Sequence, residues 1–148
     1  MNQISILGCG WLGLPLAKAL LKENYIVKGS TTSEEKISQL EILGIDSFLV
    51  ALDSKSITGN IDNFLLKSDT LIIDIPPQLR RKKDDLQTVN EKEFVEKIKN
   101  LIPYIEKSTV QNVLFVSSTS VYGEIDATIT EETIPQPDTE SGKQLLEA

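Results

Sequence analysis

A glycine-spaced turn between an apolar run and a helix-periodic run most constrains how this chain can fold. Gly8, Gly10 and Gly13 give the pattern G-x-G-x-x-G at the junction of the two runs. Gly8 permits a tight turn, Gly10 lets a pyrophosphate approach the backbone, and Gly13 lets the helix pack closely on a sheet. The N–H groups at the start of that helix attract phosphate oxygens. The pattern therefore predicts a dinucleotide-binding loop rather than a purely structural turn.

Length and charge restrict the class of protein. The chain has 148 residues, 40% of them hydrophobic, and a net charge of −7. One domain over residues 1–148 is expected, and the acidic balance argues against nucleic acid or an anionic membrane as a partner. No stretch reaches the length of a membrane span and no signal-peptide pattern is present, so a cytoplasmic protein is expected. One cysteine and no histidine exclude an internal disulfide and a Cys/His zinc site, and no metal site is expected.

Strand-like and helix-periodic segments alternate along the chain. Strands are predicted near 3–7, 25–29, 46–50, 69–75 and 112–118, and helices near 11–23, 33–43, 58–67, 90–107 and from about 138. This order predicts an α/β fold with a doubly wound parallel sheet, the Rossmann fold, in three αβα layers. The last two strands are continuous apolar runs and are expected to be covered on both faces. Pro103 is expected to kink or end its helix early.

The end of the second predicted strand bears on cofactor choice. An acidic residue there would bind the 2′-hydroxyl of NAD, but this chain has Ser30, Thr32 and Ser33, followed by Lys36. Hydroxyls, a helix N-terminus and a lysine suit a 2′-phosphate, so NADP is preferred over NAD. The alternative is that Ser33 serves only as a helix N-cap.

Three further features lie at or after the ends of the middle strands. Asp53 could contact the adenine amino group or stabilise a turn. Pro76 would stiffen the loop beside the cofactor or simply end its strand. The basic run 80–83 is a solvated loop or guides an acidic substrate. Cys9 is interpreted as a small loop residue without a nucleophilic role.

A hydroxyl cluster ends the fifth predicted strand. It begins with Ser117 and Ser118 and closes with Tyr122 and Gly123. Hydroxyls at the carboxyl end of a buried strand can polarise a substrate carbonyl or hold a substrate alcohol. The alternative is a turn satisfied by its own side chains.

The segment 115–123, with the acidic and proline-containing segment 131–137, resembles the extended short-chain dehydrogenase/reductase superfamily. That is the NAD-dependent epimerase/dehydratase group, which acts on nucleotide sugars. The glycine pattern departs from that group at Leu7, and together with Pro76 and Pro77 it resembles the superfamily's atypical branch.

The resemblance implies a catalytic serine that works with a Tyr-x-x-x-Lys pair. The matching positions are Ser118 and Lys143, with Thr139 in place of the tyrosine. A threonine hydroxyl is a poor proton relay because its pKa is far above that of a phenol. In the implied chemistry Ser118 orients the substrate oxygen and Lys143 binds the nicotinamide ribose. The cofactor residues expected from all motifs are Gly8, Gly10, Trp11, Leu12, Gly13, Ser30, Thr32, Ser33, Lys36, Asp53, Pro76 and Ser117.

The resemblance also implies parts that this chain lacks. A sixth strand and a substrate-binding lobe are expected after residue 148, so the fold is predicted to be truncated, and exposed edges would favour a homodimer. One alternative function is a non-catalytic NADP(H)-binding or sensor module. Another follows from segment 13–17, which resembles nucleotide-sugar dehydrogenases with an oxidising cysteine; the strand-end hydroxyl cluster argues against it.

Overall fold

The computed structural model describes residues 2–77 and 92–148. The strands are β1 (Gln3–Leu7), β2 (Ile26–Thr31), β3 (Asp46–Leu49), β4 (Ala51–Leu52), β5 (Ile57–Thr58), β6 (Thr70–Ile73) and β7 (Asn112–Phe115). The helices are α1 (Gly13–Lys22), α2 (Ile37–Ile42), α3 (Ile61–Leu65), α4 (Glu93–Lys107) and α5 (Glu140–Glu147). Short 3-10 turns cover Glu34–Lys36 and Thr119–Tyr122.

Five of the strands form one parallel sheet in the order β3-β2-β1-β6-β7, and β4 and β5 form a separate antiparallel hairpin. The chain moves outward from β1 to β3 and then returns to place β6 on the other side of β1. This reversal creates a crevice at the carboxyl ends of β1 and β6, where ligands bind in doubly wound sheets. The predicted parallel α/β sheet is confirmed.

The core lies on both faces of the sheet. Along β6 the side chains alternate: Leu71 and Ile73 pack in the cluster that contains Leu101 of α4, while Ile72 packs in the cluster that contains Ala17 of α1. Strands covered on both faces explain the continuous apolar sequence of β6. The sheet with helices on each side is the predicted three-layer arrangement.

The expectation that the last strand is equally covered is wrong. β7 is an edge strand, with Val113 and Leu114 50% and 54% exposed. Their apolar character matches that of a central strand, but the described residues cover only about half of each side chain. Apolar sequence shows what a strand could bury, whereas its neighbours decide what it does bury.

Several predicted boundaries also differ. The third predicted strand corresponds to β3, while β4 just after it was not predicted, and Ile57–Thr58 form a short strand at the expected start of a helix. Pro103 does not end α4 early, because the helix continues to Lys107. Pro103 is exposed, so the backbone groups that it leaves without a helical partner can face water.

A buried lysine ties β2 to the end of α3. The Lys28 ammonium donates to the carbonyl oxygens of Asn63 and Leu66 at 2.5 and 3.0 Å and lies 5.2 Å from the centre of the Phe48 ring. Burial lowers the pKa of Lys28. Helix-end carbonyls lack intrahelical partners, so this side chain stabilises a helix of only five residues.

Candidate functional site

A cleft of about 440 Å³ opens at the carboxyl ends of the strands. It is lined by the glycine loop, the ends of β2, β4 and β6, and two side chains of α4. Seven of the expected cofactor residues lie in its wall: Gly8, Gly10, Ser30, Thr32, Lys36, Asp53 and Pro76. The tertiary structure therefore brings together positions that are far apart in sequence.

The three glycines of the loop differ in whether protein packing requires the absence of a side chain. Gly8 has φ of +103°, and a Cβ there would contact the carbonyl oxygen of Asp74. A Cβ on Gly13 would contact the carbonyl oxygen of Gly8. At Gly10 a Cβ would meet nothing within 4 Å. Protein packing thus requires Gly8 and Gly13, whereas Gly10 leaves space open at a loop that borders the cleft.

The end of β2 holds the loop in place. Ser30 is 1% exposed, and its hydroxyl accepts a hydrogen bond from the Gly8 N–H at 2.9 Å. Its carbonyl oxygen accepts from the Cys9 N–H at 2.8 Å. Ser30 therefore has a structural role that the sequence interpretation, which gave it only a cofactor contact, did not include.

Beyond Ser30 the predicted 2′-phosphate residues separate into two groups. Thr32 and Lys36 are exposed and line the cleft. Ser33 is not among the described lining residues; its N–H donates to the Thr31 hydroxyl at 3.1 Å. Ser33 stands at the N-cap position of the 3-10 turn, but its side chain makes no capping hydrogen bond. Ser33 therefore occupies the N-cap position that the alternative interpretation gave it, but its side chain does not cap the turn.

Asp53 has the turn role that was its alternative interpretation. Its Oδ1 accepts from the Lys55 N–H at 3.3 Å and from the Ser54 hydroxyl at 3.2 Å. These two bonds, the first more than the second, lower the pKa of Asp53. The side chain is exposed in the cleft wall, so the turn leaves it accessible to a ligand.

Helix α4 supplies a wall that the sequence analysis did not assign to the site. Lys97 and Glu93 form an ion pair at 2.8 Å, and both line the cleft. The Asn100 amide donates to the carbonyl oxygens of Asp53 and Ser54 at 3.1 and 3.0 Å. The i,i+4 spacing of Glu93 and Lys97 favours this pair, but periodicity gives no sign that this face of the helix borders a cleft.

Asp74, which follows β6, is a further cleft residue that was not predicted. Burial raises the pKa of its carboxyl, while a hydrogen bond from the Gly13 N–H lowers it to a smaller extent. In the sequence, the feature that could have indicated this cleft position is an acidic residue at the end of a continuous apolar strand.

The Cys9 thiol is held in its neutral form. Burial, and then the negative charge of Asp74, raise its pKa to about 11. A thiol that stays protonated at neutral pH is a weak nucleophile, which supports the interpretation of Cys9 as a loop residue.

The residues implied as catalytic lie on a different part of the fold. Ser118 caps the 3-10 turn Thr119–Tyr122 by accepting from the Ser120 N–H at 3.3 Å. Thr139 caps α5 by accepting from the Gly142 N–H at 3.1 Å. A Cβ on Gly142 would contact the Ser120 carbonyl oxygen, so the turn and α5 pack closely.

Lys143 is exposed on α5, and Ser117 is exposed after β7. Ser117, Ser118, Thr139 and Lys143 are not among the described residues that line the cleft. Two residues of the glycine loop also lie outside the lining: Trp11 is 90% exposed and Leu12 is 39% exposed. Gly13 is buried beneath the loop.

Residues 2–77 and 92–148 also bear on metal binding and on membrane insertion. Within these ranges no cluster of three or more His, Cys, Asp or Glu side chains is placed to hold a metal ion. None of the helices described is long and apolar enough to cross a membrane. The basic run 80–83 lies outside the described residues.

Sequence comparison finds two curated proteins of interest, while no family model matches the chain. The chain is 30% identical over 148 residues to Protein YeeZ of Escherichia coli K12, covering 99% of this chain and 52% of that protein. It is 25% identical over 127 residues to a UDP-N-acetyl-D-mannosamine dehydrogenase of Methanococcus vannielii, covering 80% of this chain and 29% of that protein. The chain therefore spans about half the length of the E. coli relative.

Structural comparison matches about half of a nucleotide-sugar epimerase. The UDP-glucuronic acid 4-epimerase of Bacillus cereus, solved with UDP-glucuronic acid and NAD, superposes with a TM-score of 0.75. The match has 20% identity and covers 98% of this chain and 49% of the epimerase. At this identity the likeness establishes the fold, and it confirms at that level the resemblance drawn from the strand-end motif.

Proposed function

We propose that this chain, which has the fold of the short-chain dehydrogenase/reductase superfamily, is the dinucleotide-binding part of an NAD(P)-dependent protein. The observation that carries the proposal is the open position at Gly10, beside a cleft of about 440 Å³ at the switch point of the sheet. The fold needs no glycine there, whereas a pyrophosphate lying on the loop does. The B. cereus epimerase of the same fold is solved with NAD.

The cofactor would lie across the carboxyl ends of the strands. Its diphosphate would rest on the loop at Gly10, and its adenine would point towards Asp53 beyond β4. The adenosine ribose would then lie near Thr32 and Lys36, both exposed in the cleft. A hydroxyl and an ammonium favour a 2′-phosphate, which supports NADP over NAD.

The proposed reaction is hydride transfer between the cofactor and a carbinol carbon of a nucleotide-sugar-like substrate. Ser118 would hold the substrate oxygen and Lys143 would bind the nicotinamide ribose. Both side chains lie on elements that pack against each other, the 3-10 turn and α5. The substrate class is supported by the nucleotide-sugar enzymes that share the fold or sequence similarity.

One observation favours a second function, a binding or sensor module without turnover. The Thr139 hydroxyl stands where the superfamily has its tyrosine, and it already accepts the Gly142 N–H. A threonine in this role relays protons poorly because its pKa is far above that of a phenol. Hydride exchange from deuterated NADPH into a nucleotide-sugar ketone would contradict the sensor function.

We also propose that the chain associates with itself through its edge strand β7. Val113 and Leu114 are exposed on an edge strand whose outer N–H and C=O groups can pair with another strand. Sedimentation of the purified chain would show whether a homodimer forms.

The test of dinucleotide binding is a titration with NADPH and with NADH that follows the fluorescence of Trp11. This residue is the only tryptophan and lies in the glycine loop, and reduced nicotinamide absorbs where tryptophan emits. Saturable quenching at lower concentration for NADPH is expected. Saturable quenching that is tighter for NADH would overturn the NADP preference, and no quenching by either would overturn the binding proposal.

A further inference from the structure

Asp74 lies directly against the glycine loop. Its backbone N–H donates to the Leu7 carbonyl oxygen at 2.8 Å, which extends the pairing of β6 with β1 by one residue. Its own carbonyl oxygen is the atom that a Cβ on Gly8 would contact. The backbone of Asp74 is therefore held against the glycine loop, and its side chain lines the cleft.

The Asp74 carboxylate reaches the first residue of α1. Its Oδ2 lies 3.0 Å from the position of a Cβ on Gly13, and the nearby Gly13 N–H acts to lower the pKa of the carboxyl. This N–H is among the unpaired donors at a helix start that attract phosphate oxygens. Leu12, at the N-cap, offers no side-chain acceptor of its own. A carboxylate thus already lies beside the helix start, where anions are attracted.

Among the described residues, no positively charged side chain neutralises the Asp74 carboxylate. Lys36 and Lys97 line the same cleft, but neither forms an ion pair with it. Lys97 instead pairs with Glu93 at 2.8 Å. Asp53 adds a further negative charge to the cleft, and the Cys9 thiol beside Asp74 is neutral.

We infer that Asp74 is an internal competitor of the cofactor diphosphate for the N-terminus of α1, and so sets how strongly the cleft binds diphosphates. The inference rests on the proposed function, because it concerns the same cleft. A diphosphate on the loop adds two negative charges close to the ionised carboxylate. Binding is then stronger when Asp74 is protonated or replaced by a neutral isostere.

Asp74→Asn is the matched substitution. The amide keeps the size of the side chain and an oxygen that can accept from the Gly13 N–H, but it removes the charge. Like charges a few ångströms apart in a partly buried site interact strongly enough for an affinity change of about tenfold. Burial raises the pKa of Asp74, so the wild-type affinity should increase as pH falls and the carboxyl takes up its proton.

The experiment measures binding of ADP-ribose and of adenosine by calorimetry, between about pH 4 and pH 8, to the wild type and to Asp74→Asn. ADP-ribose carries a diphosphate diester that does not titrate in this window, and adenosine carries no phosphate. At pH 8 the variant is expected to bind ADP-ribose about tenfold more tightly than the wild type, and the difference should shrink as pH falls and the wild-type carboxyl takes up its proton. Adenosine should bind both proteins equally at every pH.

Asp53→Asn is the control for a general effect of charge in the cleft. Hydrogen bonds lower the pKa of Asp53, so it stays ionised across the window, and its removal should shift ADP-ribose affinity by a constant factor. Equal ADP-ribose affinity of wild type and Asp74→Asn at pH 8 would overturn the inference while leaving the proposed function intact. Failure of both proteins to bind ADP-ribose would overturn the proposed function as well. If the variant does not fold, a wild-type affinity for ADP-ribose that does not rise at low pH overturns the inference alone.

Discussion

The hydroxyl of Ser30 accepts a hydrogen bond from the backbone N–H of Gly8 at 2.9 Å, and this bond joins the end of β2 to the first turn of the glycine loop. Gly8 and Ser30 lie 22 residues apart in sequence. Gly8 has φ of +103°, a conformation that a side chain would strain. The shape of the loop therefore depends on a neighbouring strand as well as on its own glycines.

Ser30→Ala is expected to lower the free energy of unfolding by about 1–3 kcal/mol, because it leaves the partly buried Gly8 N–H without its acceptor. Chemical denaturation measures the change. Ser33→Ala is the control, since the Ser33 side chain makes no capping hydrogen bond, and its effect on stability should be small. Equal stability of Ser30→Ala and the wild type would show that the loop does not need this bond.

Gly10→Val is expected to abolish dinucleotide binding while leaving the fold stable. A Cβ at Gly10 meets no protein atom within 4 Å, so the branched side chain would occupy only the space proposed for the pyrophosphate. Gly13→Ala is the contrasting variant, because its Cβ would contact the Gly8 carbonyl oxygen and should destabilise the protein by about 1–3 kcal/mol. Unchanged NADPH affinity in Gly10→Val would place the cofactor elsewhere.

Thr32→Asp is expected to weaken NADPH binding about tenfold and to affect NADH much less, because the new carboxylate would repel a 2′-phosphate. Thr32 is exposed and lines the cleft, so the substitution should not disturb the core. Thr32→Asn tests size without charge. A similar loss for both cofactors, or for neither, would contradict the placement of the 2′-phosphate at the end of β2.

The Cys9 thiol is expected to resist alkylation by iodoacetamide in the native protein up to about pH 10. Its pKa is raised from 9.0 to about 11, so the reactive thiolate is scarce below that range. Because the folded pKa is raised, the unfolded chain loses the proton first, and this thiol lowers stability as pH rises from 9.0 to about 11. Mass spectrometry of native and denatured protein measures the alkylated fraction. Rapid labelling of the native form at pH 7 would contradict the buried environment.

Thr139→Ala is expected to destabilise the protein by about 1 kcal/mol, and Thr139→Ser to have little effect, because the hydroxyl caps α5 through the Gly142 N–H. Thermal unfolding compares the three proteins. Equal destabilisation by alanine and serine would mean that the methyl group rather than the capping hydroxyl matters.

Local patterns were enough to predict the parallel sheet and the glycine loop. The strand before Gly8 and the helix after Gly13 follow from apolar periodicity, which is a property of neighbouring residues. The ends of β2 and β6 were also placed near the site, because the carboxyl ends of parallel strands share one edge. These inferences needed no knowledge of which strands are neighbours.

Contacts between distant residues were not accessible in the same way. Gln144 is a clear case: its side chain is 1% exposed and its Oε1 accepts the Phe94 N–H at 2.9 Å, so that α5 supplies the acceptor for the first turn of α4. A glutamine in an amphipathic helix gives no sign of such a partner 50 residues away. The exposure of Val113 on β7 was missed for the same reason.

The sequence by itself determined the order of the five sheet strands and of the helices, the position of the loop and the need for glycine within it, because periodicity and backbone freedom are local properties. Only the tertiary structure decided that Ser30 holds the loop, that Asp74 reaches the start of α1, and that Lys97 closes a wall of the cleft. Each of these depends on which strand ends and helix faces become neighbours. That choice is made by burial of the whole core and is not encoded in any one segment.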